Sequence, residues 1–123
     1  MKSKRILVVD DERHMRRLLQ FNLEKIGCTV ETAGSGEEAL AMLEKNPANL
    51  LLIDLVMPGL DGFATVRELR TRPGGADIPV IMLTSRGQDD TRINATDHGI
   101  SVFLTKPFSP IELVMEAKKL LSA

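Results

Sequence analysis

The sequence has no tryptophan, no tyrosine and a single cysteine. With Cys28 alone, no internal disulfide can form and no cysteine-based metal site exists. Long apolar runs are also missing, and none approaches the ~20 residues needed to span a bilayer. The N-terminus, Met1-Lys2-Ser3-Lys4-Arg5, is basic, but Ile6-Leu7-Val8-Val9 is too short for a signal segment and stops at two aspartates. An excess of one charge is lacking too. Sixteen Lys and Arg face seventeen Asp and Glu, so no strong field favours nucleic acid or an anionic membrane. Arg13, Arg16 and Arg17 form the only dense basic cluster, which is interrupted and reads as a solvated helix face. These exclusions lead to the expectation of a cytoplasmic chain with no membrane contact and no direct nucleic-acid binding. Its 123 residues suit one core, expected to span 1–123, and no linker follows Ala123. The start at Met1 and the missing linker lean towards a stand-alone protein.

What is present alternates. Arg5–Val9 reads as a strand, followed by a helical stripe at Met15, Leu19, Leu23 and Ile26 that Gly27 stops. Residues 28–32 read as a second strand. Ser35 and Glu38 form a capping box for a helix to about Lys45, and Asn46-Pro47 ends it. Leu50–Ile53 is an apolar run of the kind buried on both faces in a parallel sheet. Asp54 follows it, and Asp61 is placed to cap a helix carrying Phe63, Val66 and Leu69. Residues 78–83 read as strand four and 101–105 as strand five. Between them, 87–98 is polar and predicts a weakly held helix. Ser109-Pro110-Ile111-Glu112 predicts a capped last helix burying Ile111, Val114, Met115 and Leu120 or Leu121. Five strands alternating with five helices predict an α/β fold, a parallel sheet with helices on both faces.

In such a sheet all strand ends share one edge, where ligands bind. Asp10 and Asp11 follow strand one, Asp54 strand three, Thr84 strand four and Lys106 strand five. Carboxylates ~4 Å apart repel by roughly 1 kcal/mol per pair in water and about 4 at an effective dielectric of 20. Lys106 offsets part of this. A divalent ion would offset more, and Mg²⁺ suits a site of one or two carboxylates, with phosphate oxygens and water completing the shell. A phosphoryl group is then welcome, and a carboxylate can itself be the nucleophile. His14 and His98 have no partner pattern and read as surface residues.

The segments Val8-Val9-Asp10-Asp11-Glu12, Asp54 through Gly62, Leu83-Thr84-Ser85 and Leu104-Thr105-Lys106-Pro107-Phe108 resemble the motifs of response-regulator receiver domains of two-component signalling. The resemblance covers essentially the whole chain. It implies a flavodoxin-like, doubly wound (βα)5 fold with strand order 2-1-3-4-5. It implies that Asp54 is the phosphoacceptor, taking its phosphoryl group from a phosphohistidine on a histidine kinase or phosphotransfer protein. Asp11 then ligates Mg²⁺ (or Mn²⁺) directly, Asp10 directly or through water, Asp54 through its carboxylate and Val56 through its backbone carbonyl. Lys106, Thr84 and the Ser85 amide contact the phosphoryl oxygens. The implied product is a switch that catalyses only its own phosphorylation and dephosphorylation and signals to a downstream protein, as a monomer or a phosphorylation-dependent dimer. A receiver cut from a longer regulator with a missing output domain is the alternative.

Three details refine the resemblance. Phe103 matches the family's switch aromatic and would respond to movement of Thr84; lacking a hydroxyl, it would be held inward by burial alone. Ser101 and Val102 stand where many winged-helix regulators carry an acidic pair, which weakens the case for their salt-bridged dimer. Val56 and Arg86 occupy the positions that tune dephosphorylation in the family; Val56 has no polar group to orient an attacking water and Arg86 is a cation that would shield the phosphoryl group, so the expected rate is slow. Periodicity adds a second apolar stripe on the first helix, where His14, Leu18 and Phe21 predict a docking surface for a kinase. Two rivals share the fold or the site. A flavodoxin would want flanking aromatics, and an aspartate-nucleophile phosphatase a second Asp at position 56, where valine stands.

Overall fold

Leu50 to Ile53 form a strand in which every side chain is buried, and the rest of the domain is arranged around it. The computed structural model describes residues 4–85 and 99–122. The polar segment expected to be a helix, with Arg86 and His98, lies outside the described residues. In chain order the elements are β1 (Arg5–Val9), α1 (Arg13–Glu24), β2 (Thr29–Ala33), α2 (Gly36–Lys45), β3 (Leu50–Asp54), α3 (Gly62–Arg70), β4 (Val80–Ser85), β5 (Val102–Lys106) and α4 (Pro110–Ser122). All four strand pairings are parallel, in the order β2-β1-β3-β4-β5. The fold is flavodoxin-like, with its central crevice where the chain order reverses beside β1 and β3.

Strand periodicity divides the core in two. Leu7, Val9, Leu51, Ile53, Val80 and Met82 face α2 and α3, meeting Ala39, Leu40, Phe63 and Val66. The alternate residues, Ile6, Val8, Leu50, Leu52, Ile81, Leu83 and Leu104, meet Leu19 and Leu23 of α1 and Leu113, Ala117 and Leu121 of α4. The described helices therefore cover both faces, as a parallel sheet requires.

Helix ends follow their local chemistry. Ser35 Oγ accepts from Glu38 N at 3.1 Å, and Asp61 Oδ1 accepts from Ala64 N at 2.8 Å. The returning carboxylate of Glu38 takes Gly34 N–H, one residue before the cap, rather than the cap's own amide. Ser109 Oγ accepts from Glu112 N. Gly27, at φ +93°, ends the first helical segment in a conformation that a side chain would strain.

The last helix corrects the sequence expectation. Its buried stripe is Leu113, Ala117 and Leu121, while Ile111 is 74 % exposed and Met115 is 54 % exposed. Leu121 is buried as expected, and packing against side chains of β1, β3 and α1 selects Leu113 and Ala117 to complete its stripe. At the amino edge of the sheet, Arg70 fastens three segments. Its Nη1 donates to the carbonyls of Gly75 and Ile78, and its Nη2 to that of Gly99. Burial pulls its pKa below the usual arginine value, against the opposing charge of Asp77.

Candidate functional site

At the carboxyl edge the strand register brings the predicted groups together. Asp54 lies opposite Leu83, Thr84 opposite Thr105, and Ser85 opposite Lys106. β3 and β5 are thus separated by β4, a backbone span of about 9.5 Å. Lys106 bridges it with its long side chain. Its Nζ stands 3.3 Å from Asp54 Oδ1 and 3.3 Å from Asp10 Oδ2. Oxygens of Asp10, Asp11 and Asp54 all lie within 4.8 Å of one another.

These groups differ in how firmly they are held. Asp10 is fully buried, with Oδ1 accepting from Glu12 N at 2.9 Å and Oδ2 facing Lys106. Its backbone N–H donates to Ala33 O at 3.2 Å. Asp54 is 6 % exposed and Thr84 2 %. Asp11 is exposed, and among the described residues no hydrogen bond holds its carboxylate.

Burial pushes the Asp54 carboxyl above the usual carboxylate range, and Asp10 adds to the rise. Lys106 and a backbone hydrogen bond from Val56 oppose it without cancelling it. For Lys106, burial works to lower the pKa, but the charges and hydrogen bonds of Asp10 and Asp54 outweigh it, and the net shift is upward. The ammonium is firmly protonated at neutral pH.

The donor set fits a small hard cation. Oxygens sharing one octahedral Mg²⁺ at about 2.1 Å lie roughly 3–4.2 Å apart, so the three carboxylates need contract only slightly. Three carboxylates against the Lys106 ammonium and the Arg16 guanidinium still leave a net negative charge for such an ion to neutralise.

The loop carrying Asp54 onward is set by close backbone contacts. A Cβ on Gly62 would lie 2.7 Å from Asp54 O and 2.9 Å from Leu55 Cα, so α3 starts directly against the end of β3. Asp61 caps α3, which leaves Asp54 outside the helix's own bonding. Val56 is exposed at the rim. Phe103 is half-buried against the α2/α3 core, its ring centroid 6.3 Å from that of Phe63 at a tilted angle. On α1, His14, Leu18 and Phe21 are all exposed, Phe21 at 63 %, with Lys25 Nζ 4.7 Å above its ring.

One residue was misread from sequence. Arg13 and Arg17 are exposed, but Arg16 is half-buried, and its Nη1 donates to Asp10 O at 2.8 Å. Its only sequence signal was position. A long side chain in the first turn of a helix can reach back to the strand end six residues before it.

The fold and the site together define a doubly wound α/β protein with an acidic centre at its topological switch point. A family model described as response regulator receiver domain matches residues 6–118, and the chain belongs to that family. It is 44 % identical over 119 residues to the transcriptional regulator ycf27 of Cyanophora paradoxa, covering 97 % of this chain and 48 % of the relative. It is 42 % identical over 118 residues to the transcriptional regulatory protein ResD of Bacillus subtilis (strain 168), covering 95 % and 48 %. The chain spans about half the length of the curated relatives it matches. Among solved structures, a response regulator from Chloroflexus aurantiacus J-10-fl superimposes with a TM-score of 0.91 at 35 % identity, covering 99 % of this chain and 100 % of that one. The receiver domain of the Francisella response regulator 1452 gives 0.86 at 30 % identity, with 98 % of each chain covered. Over residues 6–118 the chain is a receiver domain of the kind used in two-component signalling. No helix among the described residues is long and apolar enough to cross a membrane.

Proposed function

We propose that Asp54 accepts a phosphoryl group from a phosphohistidine on a histidine kinase or phosphotransfer protein, in a Mg²⁺-dependent reaction that Mn²⁺ also supports. One observation carries this reading: Asp10, Asp11 and Asp54 converge within 4.8 Å, with Lys106 at 3.3 Å from two of them. A carboxylate oxygen of Asp54 attacks phosphorus, a P–O bond forms, and the P–N bond to the imidazole breaks. The imidazole leaves as the neutral base with its own proton. A bound divalent cation supplies charge neutralisation for the transferring group. Asp10, Asp11, Asp54 and the Val56 carbonyl would hold it. Lys106, Thr84 and the Ser85 amide orient the phosphoryl oxygens, which is most of what such a transfer needs.

The unit is one receiver domain over 1–123, acting in the cytoplasm as a protein switch rather than as an enzyme on outside substrates. It does not bind nucleic acid itself, and it works as a monomer or a phosphorylation-dependent dimer. Movement of Thr84 towards the phosphoryl group would be read by Phe103, and His14, Leu18 and Phe21 would dock the kinase. Val56 brings no polar group to orient an attacking water, which supports slow self-dephosphorylation. Incubation with a small phosphodonor tests the core of the reading by intact-protein mass. Labelling should require Mg²⁺ and vanish in Asp54→Asn. Labelling that persists in Asp54→Asn would refute it. Leu18→Ala with Phe21→Ala should slow transfer from the kinase and spare labelling by the small donor.

A further inference from the structure

Asp10 and Asp11 are successive residues with different tasks. Asp10 is locked at its amide, at both carboxylate oxygens and at its carbonyl. Among the described residues, no hydrogen bond aims the Asp11 carboxylate. The backbone that precedes it therefore sets the point and angle from which its side chain leaves. The peptide linking the two residues is planar, so fixing its carbonyl oxygen fixes the plane from which Asp11 departs. The Arg16 guanidinium holds that oxygen, Asp10 O, at 2.8 Å.

The helix that supplies Arg16 needs such a brace. Glu12 stands at the N-cap of α1 without a side-chain capping bond, and the first turn has no acidic residue. The loop from Asp10 to Glu12 is tied instead by the Asp10 carboxylate below and by Arg16 from above. The guanidinium stands beside Gly34, where a Cβ would lie 3.3 Å from Arg16 Nη1, a contact that a shift of a few tenths of an ångström relieves. Gly34 is not at a positive φ, so it is the space beside Arg16, rather than backbone conformation, that limits what can stand there.

We propose that Arg16 is a positioning residue for the divalent-cation site, holding the Asp10–Asp11 peptide so that the Asp11 carboxylate faces Asp54. The inference rests on the reading of the acidic cluster as a Mg²⁺ site. Groups that orient metal ligands typically cost 10–100-fold in affinity when removed, so Arg16→Ala is expected to weaken Mg²⁺ binding by about tenfold. The sign is diagnostic. If Arg16 acted only through its charge, removing a cation beside an acidic cluster would tighten Mg²⁺ binding.

The test is calorimetric titration of the unphosphorylated full chain with Mg²⁺. Wild type, Arg16→Ala, Arg16→Lys and Gly34→Ala are compared, with folding checked by circular dichroism. Arg16→Ala should bind about tenfold more weakly, and Arg16→Lys, which keeps a donor and the charge, should recover part of the loss. Gly34→Ala presses on the guanidinium with its charge intact and should weaken binding less than Arg16→Ala; if Arg16→Ala does not fold, Arg16→Met, which keeps the apolar stem, is titrated in its place, and equal or tighter binding overturns the proposal. Equal or tighter binding in Arg16→Ala overturns the proposal, as does a loss that Arg16→Lys leaves unchanged. If wild type binds no Mg²⁺, the cation site and the positioning role fall together. If wild type binds Mg²⁺ but is not labelled at Asp54, the phosphoacceptor reading fails and the role of Arg16 is still decided by the titration.

Discussion

Replacing Asp54 by asparagine should make the metal-free protein more stable. The carboxylate lies within 4.8 Å of those of Asp10 and Asp11, and 3.3 Å from the Lys106 ammonium. At an effective dielectric of 20, each like pair at that separation costs about 3.5 kcal/mol and the ammonium returns about 5. The exposed Asp11 is screened and counts for little, so the charges on Asp10 and Lys106 partly offset each other and the desolvation of buried Asp54, the largest cause of its raised pKa, sets the sign. The balance disfavours the charge by about 2 kcal/mol, or a melting temperature about 8 °C higher for Asp54→Asn at neutral pH in EDTA. The sign of the pH dependence follows from the raised pKa of Asp54. Between the unfolded carboxylate pKa, about 3.9, and the raised folded value, the native state keeps a proton that the unfolded state has lost. Wild-type stability therefore falls as pH rises through that window, and the gap to Asp54→Asn opens with it. Acidification should close the gap, and so should saturating Mg²⁺, which binds the native wild type. Urea unfolding at neutral and mildly acid pH, with EDTA or with Mg²⁺, measures all three. An asparagine variant no more stable than wild type at neutral pH in EDTA would refute the reasoning.

Three other expectations follow from the same geometry. Lys106→Met removes the ammonium that faces two buried carboxylates and should cost about 3 kcal/mol in EDTA, with Mg²⁺ restoring much of it; an unchanged urea midpoint would contradict the pairing. Gly62→Ala drives a methyl into the backbone of Asp54 and Leu55 and should destabilise by about 2 kcal/mol or more, again read by urea unfolding. Cys28 is buried, and burial pushes its thiol pKa up, so the native protein should resist thiol reagents and react only on unfolding. The raised pKa also means that stability declines once pH exceeds the ordinary thiol value of about 8.5, and a Cys28→Ala variant should lack that decline.

The convergence of Asp10, Asp11, Asp54 and Lys106 was legible because these residues are chemically unlike their surroundings. Asp54 and Lys106 each end an apolar strand, and strand ends in a parallel sheet share an edge. The two faces of the sheet followed from alternation along β1, β3 and β4. Strand limits were less legible. The expected start of strand four at residue 78 gives way to Val80, because pairing partners rather than residue preference decide where a ladder begins. The phase of α4 failed for a related reason. Ile111, Val114 and Met115 form as good a local stripe as Leu113, Ala117 and Leu121, and only the docking of the helix on β1 and β3 distinguishes them. Arg16 escaped because a guanidinium holding a carbonyl leaves the same trace in a sequence as one in water.

Arg70 gives the sheet a mechanical asymmetry. The three hydrogen bonds described above for it lie at the ends where β4 and β5 begin, while Thr84 and Lys106 lie at the ends where those strands finish. The backbone ladder between the two strands runs on to that far end, pairing Thr84 with Thr105 and Ser85 with Lys106. Arg70 thus adds a side-chain brace where the strands begin, and charge arriving at Asp54 acts on the ends that this brace does not reach.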